Sequence, residues 1–332
     1  MSAGEPLRVQ RIAQIESPGT HQPPWLVRSL WPSSAVGILG GPPKASKTWL
    51  GLDLAISVAS GTPCLDAFPV DNPGRALLYL AEDSVETVRQ RIEGICLHRG
   101  LDIKTLELYL ITETALRLDR EADLQKLSTA LTQLQPRLLV LDPFVRLHRR
   151  DENSSGEVSG ILGDLRMLQR THNLAIVLVH HVRKNGGGAG AQGQALRGSG
   201  DLHAWGDCNA YLTRRANHLQ LSLEQRFHRA IDPLTVRLAS RPDGSATHLE
   251  IADRETRAHV GSANTTQQTV FDKLAATPHP VPRTVLRAQL RLNNQRLGTV
   301  LRELELMGRV RRTREGWTIK DRPSASPFHS DT

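Results

Sequence analysis

The sequence predicts an α/β fold for most of its length: a mostly parallel sheet with helices on both faces, followed by a small domain of helices and a hairpin. Three observations predict it. Short, uninterrupted apolar runs alternate with helical stretches, the pattern of strands buried on both faces. A Gly/Pro-rich loop ending in Lys-Thr separates the first such run from its helix. Positive charge then gathers on a compact block near the C-terminus.

Residues 1–34 read as a polar lead-in containing Pro23-Pro24-Trp25 and Leu30-Trp31-Pro32. A domain over residues 35–252 follows. Its strands are expected at 35–39, 76–80, 106–111, 138–141 and 175–179, with helices at 48–60, 84–99, 121–134 and 158–171 between them. Gly61, Gly100 and Pro136 mark helix ends. Runs at 209–212, 219–223, 234–238 and 248–251 read as later, antiparallel strands. Residues 253–265 form a polar linker, 266–320 the second domain, and 321–332 a tail expected to be disordered.

A length of 332 residues fits two domains. The net charge of +8 favours a polyanionic partner. Aromatics make up only 4%, which argues against an aromatic platform as the main mode of strand binding. Cys64, Cys96 and Cys208 stand far apart with no CxxC pair, so neither a disulfide framework nor a zinc site is expected and a reducing cytoplasm fits. No apolar run approaches the ~20 residues of a membrane span, and the N-terminus lacks a signal-type core. A cytoplasmic protein with no membrane partner is expected.

Gly41-Pro42-Pro43-Lys44-Ala45-Ser46-Lys47-Thr48 matches the phosphate loop G-x-x-x-x-G-K-[ST] except that Ser46 replaces the second glycine. Backbone N–H groups and the following helix start would bind phosphates, so ATP is the expected ligand. Lys47 would reach the β- and γ-phosphates, and Thr48 would hold Mg²⁺. Ser46 is the departure, since glycine allows unusual φ there; a small serine is expected to be accommodated. Asp142 ends an apolar strand, where a carboxylate completes the metal shell. Glu82 ends another strand and is the candidate base for the attacking water, with Asp83 as a structural or capping residue. His180 and His181 end the strand at 175–179; His180 is the expected γ-phosphate sensor, and His181 a packing residue.

These stretches together resemble the RepA-type hexameric helicases of plasmids, relatives of DnaB and RecA. The resemblance runs from Val36 to about Leu212. It is carried by P-K-x-x-K-T-W-L in the loop, L-Y-L-A-E-D at 78–83, L-L-V-L-D-P-F-V-R at 138–146, E-N-S-S-G at 152–156, I-V-L-V-H-H at 176–181 and R-G-S-G at 197–200. It implies a RecA-like P-loop NTPase core, a ring of identical subunits with ATP at their interfaces, and Glu82 as catalytic acid/base. The family's trans arginine follows R-G-S by some ten residues, where this chain reads Trp205-Gly206-Asp207-Cys208. Arg197, Arg214 and Arg215 are the remaining candidates.

Two loops leave the same sheet edge: 146–150, with Arg149 and Arg150, and the glycine-rich 183–194, opening with Arg183 and Lys184. Both fit contact with a single DNA strand; the bland alternative for the second is a surface loop. In 266–320, helices at 267–276, 283–290 and 294–307 precede a hairpin at 309–319, the pattern of a winged helix-turn-helix. Eleven Lys/Arg against four Asp/Glu give this block a net +7 of the chain's +8. Asn294, Gln295 and Arg296 would read duplex bases, and Arg311, Arg312 and Arg314 would meet phosphates. Docking onto a protein is the competing role of the block. The leading expectation is an ATP-driven DNA motor of helicase type in plasmid or mobile-element replication. An ATP-gated regulator or helicase loader, or a RecA-like recombination ATPase, are the alternatives.

Overall fold

The computed structural model describes residues 9–14, 25–151, 155–181, 200–215, 218–228, 230–252, 266–290 and 292–320. The chain divides into two compact units, Trp25–Asn264 and Met1–Pro24 with Thr265–Thr332.

The first unit opens with an antiparallel pair, β1 (Trp25–Val27) and β2 (Trp31–Pro32). Trp25, Leu26, Val27, Leu30 and Trp31 are all buried. Residues 25–34 therefore belong to the core, correcting their assignment to the polar lead-in. Prolines at 23, 24 and 32 hide a segment whose two indoles bury a large apolar area.

Nine strands form the main sheet: β3 (Val36–Gly41), β4 (Ala76–Leu80), β5 (Leu108–Leu110), β6 (Leu138–Asp142), β7 (Ala175–His181), β8 (Cys208–Arg215), β9 (His218–Gln225), β10 (Leu234–Ala239) and β11 (His248–Ile251). Their order is β11-β10-β9-β8-β3-β7-β6-β4-β5. From β8 to β5 all neighbours are parallel, and from β8 to β11 all are antiparallel. Four helices connect the parallel strands: α1 (Lys47–Ser60), α2 (Val85–Arg99), α3 (Glu121–Leu134) and α4 (Ser155–His172). A short α5 (Gly200–Trp205) precedes β8.

The continuous apolar strands split by residue parity. Leu138, Val140, Val177 and Val179 pack into the core that holds α1 and α2 residues. Leu139, Leu141, Ile176 and Leu178 pack into the opposite core, with α3 and α4. Each strand thus feeds two layers, which is why no polar alternation is seen. Pairing of Leu80 with Asp142 and of Gly41 with His181 brings four strand ends to one edge of the sheet. The candidate site residues gather there.

In the second unit, residues 266–276 form α6, followed by α7 (Arg283–Leu290), α8 (Asn294–Leu306) and an antiparallel pair, β12 (Val310–Arg312) and β13 (Trp317–Ile319). Val270, Leu286, Leu297, Leu301, Val310 and Trp317 share its small core. Gly316 has φ 147°, and a Cβ there would run into the Val281 backbone, so the turn requires glycine. Among the described residues no helix is long and apolar enough to cross a membrane.

Candidate active site

The phosphate loop is shaped by the strands around it. A Cβ on Gly41 would collide with the carbonyl of Leu212 on β8, so only glycine lets β3 turn against its neighbour. Lys44 and Ser46 both take left-handed backbone, φ 61° and 60°. Ser46, in the place of the motif's second glycine, keeps the left-handed geometry while starting α1 as its N-cap. It makes no side-chain capping bond.

The Lys47 ammonium is buried inside this turn, donating to the carbonyls of Gly41 (2.9 Å) and Pro42 (2.8 Å) and lying 3.2 Å from Nδ1 of His181. Desolvation lowers its pKa to about 8, opposed by the negative charges of Asp142 and Glu82. Thr48 Oγ1 donates to Asp142 Oδ2 at 2.6 Å. Burial raises the Asp142 pKa to about 6, with the Thr48 hydrogen bond and the Lys47 charge pulling the other way. A cavity of about 320 Å³ opens here, lined among others by Lys47, Thr48, Glu82, Asp142 and His181. Of the loop, Lys44, Ala45 and Ser46 also line it, while Gly41, Pro42 and Pro43 do not. Gly41 and Pro42 act through the carbonyls that hold Lys47.

Glu82 lines the cavity, but its Oε1 accepts from Arg146 Nε at 2.8 Å. Nothing in the strand pattern announces this pair, because Arg146 lies in the turn after β6. Asp83 is structural: it takes two hydrogen bonds from Arg91, at 2.6 and 3.0 Å. The cap of α2 is Ser84, which accepts from the Thr87 N–H.

The histidines exchange places relative to expectation. His181 lines the cavity and His180 does not. The reason is strand parity. Val177 and Val179 face the α1 side, so His181 continues that row and His180 points with Leu178 to the other layer. Counting by twos along β7 would have found it.

Arg214 donates to the Lys44 carbonyl of its own loop at 3.0 Å. Arg149 and Arg150 are exposed beyond β6. Asn294, Arg311, Arg312 and Arg314 belong to the second unit and are exposed. Arg183, Lys184 and Arg197 lie outside the described residues, as do the side chains of Gln295 and Arg296.

This arrangement offers backbone donors and an ammonium to phosphates, and a hydroxyl and a carboxylate to a hard cation. Among the described residues no group of three or more His, Cys, Asp or Glu stands together as a metal cluster.

Known proteins resemble this chain in sequence and in fold. DNA repair protein RadA of Streptococcus pyogenes is 27% identical over 157 residues, 46% of this chain and 29% of that protein. RadA of Salmonella typhimurium is 28% identical over 163 residues, covering 48% of this chain and 30% of that one. The chain therefore spans about 30% of the length of these curated relatives. The crystal structure of the RadB recombinase aligns at a TM-score of 0.47 and 18% identity, over 67% of this chain and 92% of that one. The family described as the AAA domain matches residues 4–187. With more than half of its length so matched, and a phosphate loop at the sheet edge where such a site requires it, the chain belongs to the AAA domain family of RecA-like P-loop ATPases.

Proposed function

We propose that this chain is a Mg²⁺-dependent ATPase that moves on DNA, a helicase-type motor working as a ring of identical subunits, most simply a hexamer. One observation carries the reading: Lys47, Thr48, Asp142 and Glu82, drawn from two strand ends and a helix start, meet around a single cavity.

Thr48 Oγ1 and the Asp142 carboxylate, 2.6 Å apart, are hard oxygen donors that fit Mg²⁺. When bound, the ion would spread the negative charge of the phosphate oxygens. Lys47, now held by two loop carbonyls, would turn its ammonium to the β- and γ-phosphates. Glu82 would orient the attacking water and accept its proton once released from Arg146. We assign the γ-phosphate sensor role to His181 rather than His180, and leave Arg197 as the candidate for an arginine acting across a subunit interface. Arg214 would steady the loop in its own subunit.

DNA enters the proposal through charge. Arg149 and Arg150, with Arg183 and Lys184 on the second loop, would track the phosphates of a single strand. The second unit would act as a winged helix on duplex DNA. Asn294, Gln295 and Arg296 would lie at the base edges, and Arg311, Arg312 and Arg314 along the backbone.

The name of the curated relatives, DNA repair protein RadA, favours a second reading as a recombination or repair ATPase. The deciding experiment measures Mg²⁺-dependent ATP hydrolysis with and without single-stranded DNA, then strand displacement on a forked duplex. A motor hydrolyses faster with DNA, unwinds, and loses both activities in Lys47→Ala. Filaments on single strands without unwinding favour the recombination reading. Slow hydrolysis without unwinding or filaments favours a regulator or loader. Hydrolysis that survives Lys47→Ala refutes the site itself.

A further inference from the structure

Two irregular segments of the first unit pack together where strands leave the sheet: 112–120, between β5 and α3, and 143–151, after β6. In the first, Leu116 and Leu118 are buried with Phe144 and Leu147 in one core, while Arg117 between them stays partly accessible. The Leu116 N–H donates to the Tyr79 hydroxyl at 3.0 Å, fixing the segment over the end of β4. The Leu118 N–H donates to the Leu147 carbonyl at 2.6 Å, and Arg117 Nη1 donates to the Arg146 carbonyl. Asp119 Oδ2 accepts the Arg149 N–H at 3.2 Å, which sets Arg120 beside Arg149 and Arg150. The basic stretch after β6 is therefore one half of a ridge whose floor is leucine and phenylalanine. Carboxylates around the ridge are engaged: Asp119 with the Arg149 N–H, Glu121 with Gln125, and Asp123 with the Arg117 N–H and Lys126. Arg120, Arg149 and Arg150 are exposed, and among the described residues these three and Arg117 have no ion pair.

We infer that 112–120 and 143–151 form one binding ridge for the phosphates of a single nucleic-acid strand, with Arg117 and Arg120 acting beside Arg149 and Arg150. The inference rests on the reading of Arg149 and Arg150 as strand contacts, and it adds a segment outside both loops of that reading. Guanidinium groups with no acidic partner meet phosphate without breaking an ion pair first. A ridge already joined by hydrogen bonds and a shared core avoids the ordering cost that a free loop meets on binding. Arg117 gives Nη1 to the Arg146 carbonyl and keeps further N–H groups for a phosphate oxygen. The aromatic rings of the two segments, Phe144 and His148, are buried against each other, so the surface offers cations and no stacking face. Such a surface follows the backbone and is blind to base identity.

The competing role of 112–120 is a prop that only shapes the stretch after β6. Fluorescence anisotropy separates the two, with labelled oligo(dT), a mixed-sequence single strand and a blunt duplex titrated with the full chain at several salt concentrations. Arg120 is the residue to change, because it is exposed and its side chain caps nothing. The ridge predicts that Arg120→Ala weakens both single strands alike, several-fold, and lowers the slope of log affinity against log salt by about 0.7. Adding Arg117→Ala should take away about as much again. Arg120→Glu should weaken the single strands further, and Arg120→Lys should stay near the parent. Duplex binding, assigned to the second unit, and the melting temperature should hold in the three Arg120 variants. Single-strand affinity and slope that survive Arg120→Glu, while Arg149→Ala lowers both, would overturn the ridge and leave 112–120 as a prop. Losses confined to one sequence, or equal on the duplex, would overturn phosphate tracking of a single strand. A parent that binds no single strand overturns the reading of Arg149 and Arg150, and the ridge with it.

Discussion

Arg146 Nε donates to Glu82 Oε1 across 2.8 Å, tying the candidate base after β4 to the turn that follows β6. Arg149 and Arg150 lie three and four residues further along the same segment. A strand drawn to those arginines would pull on the residue that occupies Glu82. Arg146→Gln is expected to raise DNA-independent hydrolysis several-fold and to shrink the further stimulation by DNA. Both side chains are largely exposed, so the pair adds little to folding and the variant should melt close to the parent. An unchanged basal rate, in a protein that Glu82→Gln still inactivates, would sink the restraint.

Ser46 occupies left-handed backbone at φ 60°, ψ 26°. A non-glycine residue held there costs about 1–2 kcal/mol. Glycine removes that strain but has more unfolded-state freedom to lose, so Ser46→Gly should change stability by no more than about 1 kcal/mol and leave ATP affinity near that of the parent. Ser46→Val puts a β-branched side chain into the same turn and should lower both melting temperature and ATP affinity. Loss of binding in the glycine variant would show that the hydroxyl, not the backbone angle, matters.

Asp142 is a buried carboxylate whose pKa stands at about 6 because burial disfavours its charge. For a group raised in the folded state, its stabilising contribution is intact below the unfolded pKa near 4 and is lost as pH rises through 6. Without metal, at neutral pH, the charge is a liability. Asp142→Asn keeps an acceptor for Thr48 and should stabilise the chelator-treated protein by about 3 kcal/mol above pH 6, with the gain vanishing below pH 4. The same variant should lose Mg²⁺-dependent hydrolysis. Denaturant melts across pH in EDTA test the first part, and rates with Mg²⁺ the second. A destabilised variant at pH 7.5 would contradict it.

Much of this layout is legible in the chain itself, for physical reasons that also explain the failures. Strands at 76–80 and 248–251 and helices at 121–134 and 283–290 fall where the pattern puts them, because apolar runs and helix-ending residues are local signals. Lys47, Thr48 and Asp142 come together because a strand–loop–helix motif and a strand-end carboxylate have one simple arrangement in a parallel sheet. The burial of Trp25 and Trp31 is not legible, because that of a proline-flanked hairpin depends on the sheet it lands on. That His181 rather than His180 reaches the cavity is hidden because the strand reads as uniformly apolar until its two cores are known. The pairings Arg146–Glu82 and Arg214–Lys44 span 64 and 170 residues, and no periodicity carries information across such separations.

The second unit supplies the most direct test of the DNA proposal. In the β12–β13 pair, Val310 and Trp317 turn into the core, while Arg311 and Arg312 are exposed and Arg314 stands in the exposed turn between the strands. In the DNA proposal, a hairpin so divided, anchored by apolar residues and fringed by guanidinium groups, would lie along phosphates rather than read bases. Arg311→Ala, Arg312→Ala and Arg314→Ala should therefore each weaken duplex binding by a similar factor on unrelated sequences. Each should also lower the slope of log affinity against log salt by about one. Because all three side chains are exposed, folding should be unaffected. Basal ATP hydrolysis, assigned to residues of the other unit, should also be unchanged. Binding that keeps its affinity and salt slope in the triple variant would move this unit from DNA to a protein partner, leaving the core loops as the remaining route to the strand.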